Sequence, residues 1–238
     1  MRASLTPPAR RVPGRPYAAG RSSLSRLTLV GLLTLALPGC SLAIMTGKML
    51  FGDPTETPPF EAATQVDLTD GEHTVLVLAT SPESVKVRFP EVDQEIVRRV
   101  GRTLRSKGVD VANSDDVLDW VEERGGIWSE AHLGPIAKEF DVDYIIVVDL
   151  DRFDWFETNS PDLFRGRSGG MIQAYGAAEE GGSVSYVMGG EFESVYPPHQ
   201  PKSAGSVSAK VFREQYLDRL CDQASQRFVP YRRNETIY

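Results

Sequence analysis

The chain has 238 residues, enough for one domain with additional segments, and carries 33 acidic against 26 basic residues. Six arginines and no acid lie in residues 1–39, so residues 40–238 hold 20 basic and 33 acidic residues, a net charge of −13. Such an acidic chain is a poor partner for nucleic acid, whose phosphates are bound by Lys and Arg. It is equally unsuited to electrostatic binding of anionic lipid.

The first 39 residues have the layout of an export signal. Residues 1–26 are rich in Arg, Pro, Ser and Gly, and an apolar run of eleven residues follows from Leu27 to Leu37. The run is shorter than the roughly 20 residues that a membrane-spanning helix needs. A basic segment before a short apolar run is typical of a signal peptide. We predict that residues 1–39 are a signal peptide whose cleavage is followed by lipidation; the alternatives are a signal peptide without lipidation, an uncleaved anchor and a buried helix of the fold.

The end of this run, Leu37-Pro38-Gly39-Cys40, resembles the lipobox of bacterial lipoproteins, although Pro38 is unusual at its position. The resemblance implies cleavage before Cys40, acylation of Cys40 and attachment to a membrane of the cell envelope, facing the periplasm. Ser41 after the cysteine favours the outer membrane. If Cys40 is acylated, Cys221 has no disulfide partner, and its apolar helical surroundings predict a buried structural residue.

The next segment reads as an anchor and a tether. Residues 41–52 are apolar but short, and residues 53–72 contain prolines, threonines and acids, which is typical of a flexible linker. We therefore predict a lipid anchor and tether over residues 40–72, a globular domain over residues 73–230 and a loose polar tail over residues 231–238.

The first half of the domain alternates strands and helices. Thr74–Thr80 and Asp143–Leu150 are apolar runs rich in β-branched residues, as in strands buried on both faces. Between them the sequence predicts a helix that ends at Gly108, a short strand at Val109–Val111 and two further helices. The order β-α-β-α-α-β favours parallel strands covered by helices.

The second half is predicted to be antiparallel. Residues 157–170 have a loop-like composition, whereas Met171–Tyr175 and Ser183–Tyr196 are two candidate strands of a hairpin. Ser208–Phe228 is predicted to be a long amphipathic helix. The expected fold is a single three-layer α/β domain with a mixed sheet of about five strands and the C-terminal helix packed on it.

The segment Val75–Phe156 resembles a periplasmic module. Its features are a helix ending L-R-S-K-G and the later run I-A-K-E-F-D-V-D-Y-I-I. Similar patterns occur in lipoproteins of the curli-secretion and penicillin-binding-protein-activator types and in the N-terminal domain of the Tol propeller protein. Gly47–Pro54 and Tyr196–Pro201 also resemble motifs of an uncharacterised bacterial lipoprotein family. These resemblances imply an envelope protein that binds another envelope component.

Two groups of residues are candidates for a site, and both follow the main strand. Asp149, Asp151 and Asp154 lie at its carboxyl end, where α/β sheets place ligands, and could bind Ca²⁺ or Mg²⁺ or act in catalysis; the alternative is solvated surface acids. The second group is an aromatic and arginine surface for a protein partner, with core packing and internal ion pairs as the alternative. Its members are Phe153, Trp155, Phe156, Arg165, Arg167 and Tyr196.

Three functions remain open from the sequence. The first is a lipid-anchored accessory or assembly factor that binds an envelope protein, needs no cofactor or metal and is not an enzyme. The second is an enzyme that acts on envelope polymers through the aspartates. The third is a lipoprotein that binds a small ligand or a metal. The leader and the acidic composition favour the first.

Overall fold

The computed structural model describes residues 55–126, 128–178 and 182–232. The predicted signal peptide and the predicted lipidation at Cys40 lie outside these residues. None of the helices within the described ranges has the length and apolar content needed to cross a membrane. The strands are Thr55–Glu56 (β1), Thr74–Thr80 (β2), Asp110–Val111 (β3), Tyr144–Glu157 (β4), Ser160–Ala177 (β5), Val184–Tyr196 (β6), Lys202–Ser203 (β7) and Tyr231–Arg232 (β8). The helices are Pro59–Thr64 (α1), Glu83–Lys86 (α2), Val92–Ser106 (α3), Ser114–Glu123 (α4), Glu130–Phe140 (α5) and Ala209–Ser225 (α6).

The predicted mixed α/β fold is confirmed. Six strands form one sheet in the order β3-β2-β4-β5-β6, and β7 pairs with β5 beyond the end of β6. β2 is parallel to both neighbours, with Val75 opposite Val111 and Val77 opposite Ile146. β4, β5 and β6 are antiparallel. Apart from the additional short helix α2, the parallel half thus follows the predicted β-α-β-α-α-β order, and a long antiparallel meander follows it.

Helices cover both faces of the sheet. α3 and α6 pack on one face of the sheet. α3 contributes buried residues at helical spacing, such as Ile96, Val100 and Leu104, to the apolar cluster there. Ion pairs join the two helices: Arg99 of α3 contacts Glu214 and Asp218 of α6, and Arg213 of α6 contacts Glu95 of α3. On the opposite face, α4 and α5 contribute Val117, Trp120, Leu133 and Ile136 to a second apolar cluster.

The predicted loop over residues 157–170 is wrong. β4 continues to Glu157 and β5 begins at Ser160, so only a tight turn separates them, with Asn159 in the left-handed region (φ 59°). Residues 160–170 hold few apolar side chains, and α6 lies over their core face. A Cβ on Gly166 would be 2.3 Å from the ring of Tyr216, and Ser168 accepts a hydrogen bond from the Tyr216 hydroxyl at 2.7 Å.

The predicted tether is wrong for residues 55–72. β1 pairs with β8, and α1 buries Phe60 completely against Tyr144 and Phe228. Leu68, in a short 3₁₀ helix, is also buried. The packing of this segment could not be predicted from the sequence, because its apolar residues are isolated among prolines, threonines and acids. The domain therefore begins no later than Thr55.

The predicted tail is wrong at its first two residues. Tyr231 and Arg232 form β8, and the Tyr231 hydroxyl donates a hydrogen bond of 3.0 Å to Glu56. Residues 233–238 lie outside the described part of the chain. The two ends of the described domain thus meet in one antiparallel pair.

Candidate functional site

A broad groove lies beside the hairpin that joins β4 to β5. Its volume is about 970 Å³, and one side is formed by α2 and the residues after it. The groove exists because β4 and β5 extend well past the end of β2, so the hairpin stands beyond the parallel part of the sheet. Its lining comprises Ser84, Val85, Arg88, Asp151, Arg152, Phe153, Asp154, Phe156, Glu157, Thr158, Asn159, Ser160, Pro161 and Arg167. We call it the hairpin groove.

The arginines predicted to contact a partner are engaged within the protein. Arg167 donates a hydrogen bond of 2.6 Å to Glu157, and Arg165 lies 3.7 Å from the other oxygen of the same carboxylate. Arg165 also donates to the carbonyl oxygen of Pro198 at 2.8 Å. The hydrogen bond from Arg167 is the main cause that lowers the pKa of Glu157. This cluster holds the two sides of the hairpin together, which is the alternative recognised from the sequence.

The three aspartates after the main strand do not act as one cluster. Asp154 accepts a hydrogen bond of 2.8 Å from Arg88 and another of 3.1 Å from the Phe156 amide. Asp149 is half-buried and pairs with Thr80 of β2; burial, and then the charges of Asp151 and Asp93, raise its pKa. Within the described ranges, no three His, Cys, Asp or Glu side chains lie close enough to share a metal ion.

The predicted aromatic surface divides between core and groove. Phe153 is 3% exposed and packs edge to face on Phe89, so it is chiefly a core residue that only borders the groove. Trp155 is half-buried against Phe89, and the guanidinium of Arg213 lies over its ring. Phe153 reaches the core because a β-bulge in β4 at residues 150–152 shifts the alternation of the side chains that follow it.

Phe156 and Tyr196 complete the predicted set. Phe156 is half-exposed and lines the groove, where it packs on Phe164. Tyr196 is not among the groove residues; its ring stacks on Phe212, and its hydroxyl accepts a hydrogen bond from Lys202 at 3.0 Å. The structure thus brings only part of the predicted aromatic and arginine surface into the groove.

Sequence reasoning missed Arg88 and Arg152. Arg88 lies 66 residues from its partner Asp154, and no local pattern indicates that pairing. Arg152 follows a β-bulge, crosses over Gly169 and donates to Glu193 at 3.0 Å. The only available signal was the unusual density of charged residues between Asp149 and Glu157.

The second cysteine lies away from this groove. Cys221 is 1% exposed in α6, has no disulfide, and burial raises the pKa of its thiol. It therefore occupies the position of a small apolar core residue, as its sequence surroundings predict.

Comparison with known proteins gives only weak structural likenesses. No family model matches the chain, and no curated protein matches it. The PelC dodecamer from Paraburkholderia phytofirmans is similar at 12% identity and a TM-score of 0.38, over 74% of this chain and 96% of that one. Lipoprotein GNA1162 from Neisseria meningitidis is similar at 10% identity and a TM-score of 0.39, over 63% of this chain and 96% of that one.

A third structure, protein XCC0632 from Xanthomonas campestris, is similar at 11% identity and a TM-score of 0.39, over 73% of this chain and 88% of that one. The structures with some similarity therefore include bacterial lipoproteins. All three scores lie below 0.5, a similarity too small to establish a shared fold or function.

Proposed function

We propose that the chain is a lipoprotein of the bacterial cell envelope, cleaved after residue 39 and anchored by acyl chains on Cys40. The observation that carries this proposal is the basic leader with an eleven-residue apolar run that ends at Leu37-Pro38-Gly39-Cys40. The acidic remainder supports it, because a domain that anionic lipid repels needs a covalent anchor to stay at a membrane. The outer membrane, with the domain facing the periplasm, is the favoured location.

The α/β domain is proposed to be a protein-binding accessory or assembly factor rather than an enzyme. The hairpin groove supports this role because it combines a half-exposed aromatic residue, Phe156, with arginines and acids of both signs. Aromatic and arginine side chains dominate the energetics of protein interfaces. The resemblance of Val75–Phe156 to envelope lipoproteins points in the same direction.

Part of the charge in the groove can change partners at little cost. Arg152 and Glu193 form an ion pair with 59% and 69% of their side chains exposed. Arg88, which holds Asp154, is 54% exposed. Exposed pairs contribute only about 0–1 kcal/mol to stability. A partner with its own charged groups could therefore replace them without unfolding the hairpin.

The lipid anchor is tested by Cys40→Ala. The expected result is loss of lipid labelling, together with release of the domain from membranes or accumulation of the uncleaved precursor. The comparison variant is Cys221→Ala, which should keep both the labelling and the membrane fraction. Unchanged labelling in Cys40→Ala would contradict the proposed anchor.

The groove is tested by site-specific cross-linking in cells. A photoreactive residue at Thr158, exposed at the tip of the hairpin, should give a defined adduct with an envelope protein. The same residue at exposed Ser185, near the opposite end of the antiparallel strands, should not. Arg88→Ala combined with Arg152→Ala should abolish the Thr158 adduct while the unfolding midpoint stays near normal. Equal adducts at both positions, or none at Thr158 in normally exported protein, would refute this role.

A further inference from the structure

A second concave region lies beside the outer edge of β2. β2 has seven residues, but β3 pairs only with Thr74 and Val75. No other strand in the described ranges pairs with the rest of that edge. Instead, the indole nitrogen of Trp128 donates a hydrogen bond of 3.3 Å to the carbonyl oxygen of Ala79. A cleft of about 440 Å³, which we call the β2 cleft, lies here between α3 and α4.

The walls of the β2 cleft combine apolar and polar surface in about equal measure. The apolar part comprises Leu78, Ala79, Pro90, Val97, Leu118, Val121 and Trp128. The volume of the cleft falls within the range of about 300–1,000 Å³ typical of small-molecule sites, which combine apolar walls with a few polar groups. The cleft also lies at the carboxyl end of a parallel strand whose flanking helices cover opposite faces, where open α/β sheets bind ligands.

The charged groups of the cleft are mostly negative. Asp93, Glu122 and Lys86 line it, and the Lys86 ammonium is 3.6 Å from Oδ2 of Asp93. Oδ1 of Asp93 is buried and has no hydrogen-bond partner among the described residues. A third carboxylate, Asp149, lies in the adjacent strand opposite Thr80, another lining residue. Within the lining, one ammonium group is therefore accompanied by two carboxylates, and Asp149 adds a third in the strand beside it.

Two positive features of the cleft would favour an anion instead, but the charge of Asp93 offsets both of them. The N-terminal end of α3 carries about half a positive charge, but Asp93 stands in the first turn of that helix. Lys86 is drawn to the same aspartate. Burial, and then the charges of Asp151 and Asp93, raise the pKa of Asp149, as expected where carboxylates exceed cations. The indole of Trp128 adds an electron-rich ring, which attracts cations.

We propose that the β2 cleft binds a small molecule with an apolar body and a primary ammonium group. The ammonium would be attracted by the carboxylates of Asp93 and Glu122 and by the Trp128 ring, all of which line the cleft. The apolar body would lie between Val97 and Leu118. This site is separate from the hairpin groove, and its occupation does not depend on the proposed partner role.

The experiment compares two probes of similar size and opposite charge, phenethylamine and 3-phenylpropionate. Each is titrated calorimetrically into the full chain in mild detergent, with protein-free detergent as the blank. Phenethylamine should bind at least tenfold more tightly than 3-phenylpropionate. Lys86→Gln should tighten amine binding severalfold, because it removes the ammonium that competes for Asp93. Equal affinity for the two probes, tighter binding of the acid, or binding of neither would overturn the proposal.

Substitutions of the carboxylates separate binding from folding. Asp93→Asn should weaken phenethylamine binding at least tenfold, and Glu122→Gln, at an exposed position that can be changed if Asp93→Asn does not fold, should weaken it severalfold. The matched control is Glu123→Gln, one residue further along α4 and outside the lining of the cleft, which should bind as wild type does. Undiminished amine binding in Glu122→Gln, or an equal loss in Glu123→Gln, would contradict the assignment.

Discussion

The two halves of the sheet obtain their buried bulk from different sources. In the parallel half, defined as β2, β3 and residues 144–148 of β4, the strands supply it themselves. Leu76 and Ile145 pack into the cluster beneath α4 and α5, whereas Val77 and Ile146 pack into the cluster beneath α3. In the distal half, defined as residues 149–157 of β4 and 160–170 of β5, helix α6 supplies much of it.

The core face of the distal half is shaped to receive α6. Along β5, Phe164, Gly166 and Ser168 alternate on that face, and all three are buried. The ring of Tyr216 occupies the space that a side chain at position 166 would need. The Tyr216 hydroxyl, itself buried, donates to Ser168. A strand can therefore be fully buried with few apolar residues, provided that the facing helix carries the bulk.

The largest expected effect is the loss of bulk from the parallel half. Ile146 is completely buried at the centre of the sheet. Ile146→Ala should lower the free energy of unfolding by about 2–5 kcal/mol, because it removes apolar contacts and leaves a cavity. Denaturant unfolding of the full chain measures this. Val87→Ala, at a position 74% exposed, is the control and should leave the midpoint unchanged. An unmoved midpoint for Ile146→Ala would show that the parallel half is not packed as described.

The distal half should be destabilised by added bulk rather than by lost bulk. Gly166→Ala adds one methyl group where the Tyr216 ring already lies, and such overpacking costs about 1–3 kcal/mol. Gly205→Ala is the control, because a Cβ there would be 3.6 Å from its nearest neighbour, the Ser203 side chain. Unfolding of both variants in denaturant gives the comparison.

A double substitution sharpens the same prediction. Tyr216→Ala alone should be strongly destabilising because it removes a buried ring, but it also opens the space above Gly166. Gly166→Ala should then cost little in the Tyr216→Ala background, so the two changes are not additive. Additive costs would mean that the glycine is required for its backbone and not for the approach of the ring.

This difference between the halves explains which parts of the fold the sequence predicted. Thr74–Thr80 and Asp143–Leu150 were recognisable because their own side chains carry the burial signal. Residues 160–170 carry no such signal. The small residues among them face Tyr216 of α6, which lies about 50 residues later in the chain. The segment 55–72 failed for a related reason: Phe60 is a single anchor whose partners, Tyr144 and Phe228, are distant in sequence.

The contacts of the candidate site were also difficult to predict, because they depend on residues that are distant in sequence. The charged and aromatic density after the main strand lies beside the hairpin groove, at the carboxyl end of β4. The roles of individual residues could not be predicted. A β-bulge at residues 150–152 turns Phe153 into the core, and the tight turn at Asn159 brings Arg167 back onto Glu157. Bulges and long-range ion pairs leave no periodic signal in a single sequence.

The smallest expected effect concerns the charge cluster at the tip of the distal half. The pKa of Glu157 is lowered chiefly by its hydrogen bond from Arg167, so the folded state favours the ionised carboxylate. This contribution to stability is present above the ordinary glutamate pKa of 4.5 and is lost as the pH falls through the lower folded-state pKa. Glu157→Gln should therefore destabilise the domain slightly at pH 7, and its difference from wild type should shrink when unfolding is measured below pH 4. Glu193→Gln, at an exposed carboxylate whose ion pair is elsewhere on the sheet, is the control. A Glu157→Gln difference that stays constant with pH would mean that Arg167 stabilises the hairpin through packing rather than through charge.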